Sequence, residues 1–225
     1  MDIDSAELKW LREHGYTPIG EDETFSFGCR RCGRCCCNRD EPIQLTGIDV
    51  YAIANALGRS TADILERYTE TVPGARTGLP VVFIRELADG CCPFLRKKQC
   101  TIQQNKPIVC RLYPLGRIIH EGKPLYITQQ NASCGKARDV KVGDWLDWFH
   151  IRDTDEECIL WNSLCLSASR FTEAARERQT PEDIMRLSAA FYQNLYLSVD
   201  MSRPYIETLR DTIRSWEAEF EGFRM

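Results

Sequence analysis

Five cysteines fall within nine residues: Cys29, Cys32, Cys35, Cys36 and Cys37. The arrangement Cys29-x2-Cys32-x2-Cys35-Cys36 points to thiolate coordination chemistry. A two-residue gap lets a tight turn aim successive sulfurs at one centre, as zinc knuckles and iron–sulfur loops do. Three sulfurs at this double spacing can cap three corners of a cubane cluster, with a fourth ligand from elsewhere, whereas one zinc ion more often takes two sulfurs from each of two knuckles. Adjacent cysteines are expected to point apart. Cys35 and Cys36 therefore suit two neighbouring centres, or one ligand beside one bystander. Cys92, Cys100, Cys110 and Cys134 follow downstream and bring the candidate ligands to eight. Eight sulfurs fit two four-thiolate sites, or one cluster with spare thiols.

The charges around the cysteines suit such a site. Arg30, Arg31, Arg34 and Arg39 surround the run, and Arg96, Lys97, Lys98, Arg111 and Arg117 lie close in sequence to the later cysteines. Cations lower thiol pKa values and offset the negative charge of a thiolate centre. The competing reading is a basic patch for an anionic partner. Other candidates read as structural. Cys158 and Cys165 are seven residues apart, flank Trp161 and Leu164, and are expected to pack as small hydrophobes. His14, His120 and His150 are scattered, and a soft centre rich in thiols does not need imidazole. Cys37 and Cys91 read as spare thiols. Asp49 reads as a helix cap or a salt-bridge partner.

These residues need elements to hold them. Amphipathic spacing predicts a helix over 4–14 and another over 46–57, ended by Gly58. Ser60 with Asp63 starts a short helix over about 61–69. Val81–Leu87 reads as a strand, and Arg117–His120 and Leu125–Gln129 as a hairpin around Glu121-Gly122-Lys123-Pro124. From Gly143 the pattern turns helical: a stretch over 143–178 broken near 153–155, a helix opened by Thr180-Pro181 and running to about 198, and a last one over about 202–220. The aromatic stripe Trp145, Trp148, Phe149, Trp161, Phe191, Tyr192 and Tyr196 is expected in helix–helix cores. The fold class is α+β: a loop-rich cysteine-cluster domain over 1–140, with short helices and a small antiparallel sheet, followed by a helical C-terminal region over 141–225.

Composition sets limits on function. The chain has 225 residues, 12 of them cysteine, and a net charge of −4. That balance argues against a nucleic-acid partner. No window approaches the ~18 apolar residues of a membrane span. The acidic start lacks the basic and apolar regions of a secretory signal, so a cytoplasmic location is expected, where clustered thiols serve metals rather than disulfides. There is no phosphate-cradling glycine loop and no nucleophile elbow. Neither a substrate nor a particular protein or small-molecule partner is legible.

Together, Cys29–Cys36, Leu45-Thr46-x-x-Asp49, Cys92-Pro93-Phe94-Leu95, Cys100-x-Ile102 and Lys106-Pro107-x-x-Cys110-Arg111-Leu112-Tyr113-Pro114 resemble the YkgJ-type cysteine-cluster proteins, with their CxxCxxCC zinc- or iron-chelating domain, over roughly residues 25–140. The resemblance implies metal or iron–sulfur binding by the motif cysteines. Flagellin lysine N-methylases carry a related cluster, so an enzyme using the centre for transfer or redox chemistry is the alternative to a binding protein, and a structural zinc module is a third. Cys37, Cys91 and Gln103–Lys106 depart from the family pattern. The double x2 spacing and the Cys92-Pro93 dipeptide favour a [4Fe–4S] cluster over zinc or mononuclear iron.

Overall fold

The computed structural model describes residues 6–28, 32–37, 39, 42–129, 138–220 and 222–225. Cys29, Cys134, Arg30 and Arg31 lie outside them. In chain order, α1 (Ala6–Glu13), β1 (Tyr16–Pro18) and β2 (Thr24–Ser26) come first, and β3 (Gln44–Leu45), α2 (Gly47–Leu57) and α3 (Thr61–Tyr68) follow the cysteine run. Next come β4 (Thr69–Pro73), β5 (Pro80–Ile84), β6 (Leu95–Arg96), β7 (Gln99–Cys100) and α4 (Ile108–Leu112). Then β8 (Leu115–His120), β9 (Lys123–Gln129), β10 (Asp139–Lys141), α5 (Val142–Trp148), α6 (Asp155–Glu177), α7 (Pro181–Tyr192) and α8 (Tyr205–Glu219). Every described strand pair is antiparallel, in sheets of two or three strands. The chain is an α+β protein. It divides into two compact units, Met1–Cys32 with Ile108–Asp155, and Gly33–Pro107 with Glu156–Met225.

The first unit is built on the sheet β1-β9-β8 and the pair β10-β2. The β8–β9 hairpin closes on Glu121 and Gly122, both left-handed at φ 50° and 74°. This turn is tighter than the four-residue connection expected, because two consecutive left-handed residues match the twist of the flanking strands. Trp145 of α5 packs edge-on against Phe25 and Phe27, and its indole N–H donates to the Leu112 carbonyl at 3.1 Å. Trp148 departs from the expected core stripe. It is 63% exposed, because α5 is short and buries only the face that carries Val142, Trp145 and Leu146. Arg117 is buried and donates to Asp155 at 2.5 Å, to Thr154 Oγ1 and to the Ile151 carbonyl. Its charge is thus engaged locally, although its place in the sequence suggests a cysteine neighbour.

In the second unit the sequence signals for α2 and α3 hold in detail. Thr46 and Asp49 form a reciprocal capping box at the start of α2, satisfying two N–H groups that the first helical turn leaves without partners. Gly58 ends α2 at φ 59°, and the Ser60 hydroxyl accepts from the Asp63 N–H to start α3. The sheet β3-β5-β4 buries Leu45, Val82 and Ile84. α6, α7 and α8 bury Leu164, Leu187, Leu209 and Trp216. Thr180 does not cap α7 as expected: its hydroxyl donates backwards to the Ala175 carbonyl, serving the end of α6 instead. After α7, residues 193–197 form a π-helical turn. Side chains donate to carbonyls of this turn, Tyr205 to Leu195 at 2.7 Å and Thr61 to Leu197 at 3.1 Å. Tyr196, on the same turn, donates to the Leu45 carbonyl.

The β6–β7 hairpin carries no sequence signal because its turn residues are lysines, Lys97 at φ 48° and Lys98 at φ 64°. Turns of this geometry favour Asn-Gly, since a left-handed residue with a Cβ costs roughly 1 kcal/mol or more. Lys98→Gly is therefore expected to raise stability by about 0.5–1 kcal/mol, read as a higher urea midpoint with an unchanged slope. A lower midpoint would show that Lys98 is not held in this conformation.

Candidate metal centre

The second unit supplies two thiol-bearing segments. One is the 3₁₀ turn Arg34–Cys36, entered through Gly33 at φ 78° and closed by a bond from the Cys36 N–H to the Gly33 carbonyl. The other is the β6–β7 hairpin with the residues that flank it. Gly33 and Leu95 bring the two segments together, because a Cβ built on Gly33 would lie 3.6 Å from the Leu95 side chain.

The turn places Cys35 Sγ and Cys36 Sγ 3.8 Å apart. This corrects the expectation that the adjacent cysteines point apart: within the 3₁₀ turn the two sulfurs approach each other. A pair at this distance spans one edge of a tetrahedron around an ion with metal–sulfur bonds of about 2.3 Å. Cys35 is pulled down from the usual thiol range to about 6. The hydrogen bond from Cys36 is the main cause, burial works against it, and the Lys106 and Arg39 charges help.

Cys92 precedes the hairpin and Cys100 ends its second strand, in matching settings. The Phe94 N–H bonds to the Cys92 sulfur and the Ile102 N–H to the Cys100 sulfur, each donor two residues after its cysteine. The hairpin is braced beneath them, with the Thr101 N–H donating to the Phe94 carbonyl at 2.9 Å. Burial pushes both thiols above the usual range, and the sulfur bonds oppose it. Cys92 is affected by the charge of Cys100, and Cys100 by that of Cys35. A backbone N–H aimed at sulfur stabilises thiolate over thiol. Cys92 is thus buried and Cys100 half-buried, yet both are supplied with the donors that an anionic sulfur needs.

The remaining candidates fall elsewhere. Cys32 and Cys110, both half-buried, belong to the first unit, and Cys29 and Cys134 lie outside the described residues. Cys37 and Cys91 are joined in a disulfide, a pairing that the spare-thiol reading missed. Fifty-four residues separate them, and only the register of their two segments could have shown it. Cys165 sits in the helical core as expected, its thiol pushed up to about 12 by burial. His150 is exposed beside Asp153. Arg39 pairs with Glu86 at 2.7 Å. Asp49 closes the α2 cap in the second unit, while Arg111 donates to the Phe149 and His150 carbonyls in the first.

The donors fit a soft metal in kind: thiolates, cationic neighbours and N–H groups directed at sulfur. Among the described residues, no three Cys, His, Asp or Glu side chains already form a coordination sphere. The electrostatics predict graded reactivity. Iodoacetamide labelling of metal-free protein should show Cys35 reacting with a midpoint near pH 6, and Cys92 and Cys100 only above the ordinary thiol range. Uniform labelling midpoints, read by peptide mapping, would contradict this ordering.

Residues 28–136, which hold all of these thiols, match the family described as "CxxCxxCC: Putative zinc- or iron-chelating domain". This segment is thus similar to the members of that family. The chain is also similar to the uncharacterized protein MJ0661 of Methanocaldococcus jannaschii, at 33% identity over 53% of this chain and 61% of the relative. It thus spans about three fifths of that relative's length. No solved structure matches significantly. Among the described residues, no helix is long and apolar enough to cross a membrane.

Proposed function

We propose that the protein binds zinc or iron as a single ion through cysteine thiolates, with Cys35 and Cys36 as two ligands of one ion and Cys92 and Cys100 as their partners. Cys29, Cys32, Cys110 and Cys134 remain as candidate ligands of a second centre. The observation that carries this reading is the 3.8 Å separation of the Cys35 and Cys36 sulfurs, the distance one tetrahedral ion requires of two of its ligands. The low pKa of Cys35 and the sulfur-directed N–H groups of Phe94 and Ile102 support it. A reducing cytoplasm would keep the thiols available. Such a protein would store or pass on a metal, or use it to fold the loop-rich segment, with a protein or small molecule as partner.

A second reading, a [4Fe–4S] cluster, is favoured by the double x2 spacing and by Cys92-Pro93. In that case one of Cys35 and Cys36 is a ligand and the other a bystander. Metal and acid-labile sulfide analysis of the anaerobically purified full chain separates the two. The single-ion reading expects zinc or iron without sulfide, and a loss of metal in Cys35→Ser and in Cys36→Ser alike. Sulfide equal to iron, with one of the two variants unaffected, would replace it with the cluster.

A further inference from the structure

The Cys37–Cys91 disulfide joins two segments that also carry candidate ligands: Cys36 precedes Cys37, and Cys92 follows Cys91. The segments are held in register by more than sulfur. Cys37 and Cys91 face each other across an antiparallel bridge. The Cys92 N–H donates to the Cys36 carbonyl at 2.7 Å, and Arg39 bonds Glu86 at 2.7 Å on the far side of Cys37. The Cys91 strand is set by its own turn, with the Leu87 N–H donating to the Cys91 carbonyl at 2.9 Å and the Cys91 N–H to Asp89 Oδ1 at 3.0 Å. None of these bonds is made by the two sulfurs. When the link opens, the two sulfurs stay opposite each other, so closing it again is intramolecular and needs no large search of chain conformations. Both cysteines are half-buried, within reach of a thiol reagent at the surface.

We propose that Cys37 and Cys91 form a reversible dithiol–disulfide site whose co-substrate is a dithiol, and that its state governs the reactivity of Cys36 and Cys92. One thiolate of the external dithiol attacks a sulfur of the bridge, giving a mixed disulfide and one protein thiolate, which takes up a proton. The second thiol of the reagent then displaces the other protein sulfur. The reagent is oxidised to its disulfide, and the bridge takes up two electrons and two protons and becomes two thiols. Oxidised glutathione, or another small disulfide, runs the cycle backwards. In the closed state Cys36 and Cys92 are clamped side by side. In the open state two more thiols stand next to them, and the clamp is reduced to its hydrogen bonds.

The pairing of the sulfurs does not depend on the metal-binding reading. The consequence for Cys36 and Cys92 adds a redox control to that reading. The test uses full-length protein, with and without chelator, treated with dithiothreitol and then oxidised glutathione under native conditions. Iodoacetamide labelling is mapped by mass spectrometry, and far-ultraviolet circular dichroism follows the fold. Expected are no label on Cys37 and Cys91 before reduction, label on both after it with the fold intact, and loss of label on re-oxidation. Cys36 and Cys92 should label several-fold faster in the open state. A Cys37→Ser/Cys91→Ser variant should label them equally under both conditions. Because the wild-type cycle is read directly, the test stands even if that variant fails to fold. A bridge that opens only with loss of the fold, or unchanged Cys36 and Cys92 rates, would overturn the proposal. Metal analysis of the same samples separates this outcome from the metal reading: a chain that cycles its disulfide but binds no metal contradicts only the latter.

Discussion

Gly47→Ala should destabilise the second unit by about 3–5 kcal/mol, a large effect for one methyl group. A Cβ at position 47 would lie 1.9 Å from the Tyr205 hydroxyl oxygen, 2.3 Å from the Leu195 carbonyl oxygen and 2.8 Å from Tyr205 Cζ. Two of the three obstacles are side-chain atoms, but Tyr205 is almost wholly buried and has no space to swing into. The third is backbone of the π-helical turn, which is held by Tyr196 and Thr61 as well. Overpacking alone costs typically 1–3 kcal/mol. Here the methyl group also drives apart the buried Tyr205–Leu195 hydrogen bond, leaving both groups unsatisfied at roughly 1–3 kcal/mol more. A Gly47→Ala/Tyr205→Phe double variant should recover part of the loss, because removing the hydroxyl removes the closest contact. Urea unfolding measures both. A single variant within 1 kcal/mol of wild type would show that the turn yields.

Metal removal is the second large effect. The segment from Glu86 to Lys106 is mostly turns and two-residue strands, with little regular structure to hold it, so bound metal supplies much of its order. Free metal at a thousand times the dissociation constant adds about 4 kcal/mol to stability by mass action alone. Chelator should therefore lower the unfolding midpoint sharply and open this segment to protease, while α6 to α8, packed around Trp216, stay protected longer. The effect depends on pH in a definite direction. Cys92 and Cys100 have thiols raised above the usual range, so binding must displace protons from both, and affinity climbs through neutral pH toward alkaline. Cys35, depressed to about 6, shifts this balance only under acid: its preference for the charged form is present above the ordinary thiol range and is lost as pH falls through about 6. Metal should then leave the protein progressively below neutrality. Retention to well below pH 6, or stability unchanged by chelator, would mean that these thiols are not ligands.

Much of the helical architecture was legible because its signals are local. Thr46 with Asp49, Gly58, and Ser60 with Asp63 each act within four residues, and α2 and α3 start and stop where those residues direct. The π-helical turn was not legible, since its carbonyls are satisfied by side chains outside the turn, Tyr205 from the next helix and Thr61 from far away in sequence. The β6–β7 hairpin was hidden by lysines in positions that usually call for asparagine and glycine. The candidate site divides the same way. Cys35, Cys36, Cys92 and Cys100 stand out by spacing and dipeptide context. That the Cys35 and Cys36 sulfurs approach each other within one 3₁₀ turn depends on the torsions of the two side chains, which no spacing rule specifies. The Cys37–Cys91 pair depends on a register between segments more than fifty residues apart, set by the Cys92–Cys36 and Arg39–Glu86 bonds across the two segments, which no local pattern specifies.

The central claim is that thiolates of the 28–136 domain hold a metal and that Cys35 and Cys36 hold it together. It is tested most directly by zinc and iron content per chain, measured on anaerobically purified wild type, on Cys35→Ser/Cys36→Ser, and on Cys165→Ser as a control in the helical core. The account predicts stoichiometric metal in the wild type and the control, and a loss of more than a hundredfold in affinity in the double variant, beyond the 10–100-fold typical of outer partners. Full metal content in the double variant would contradict it.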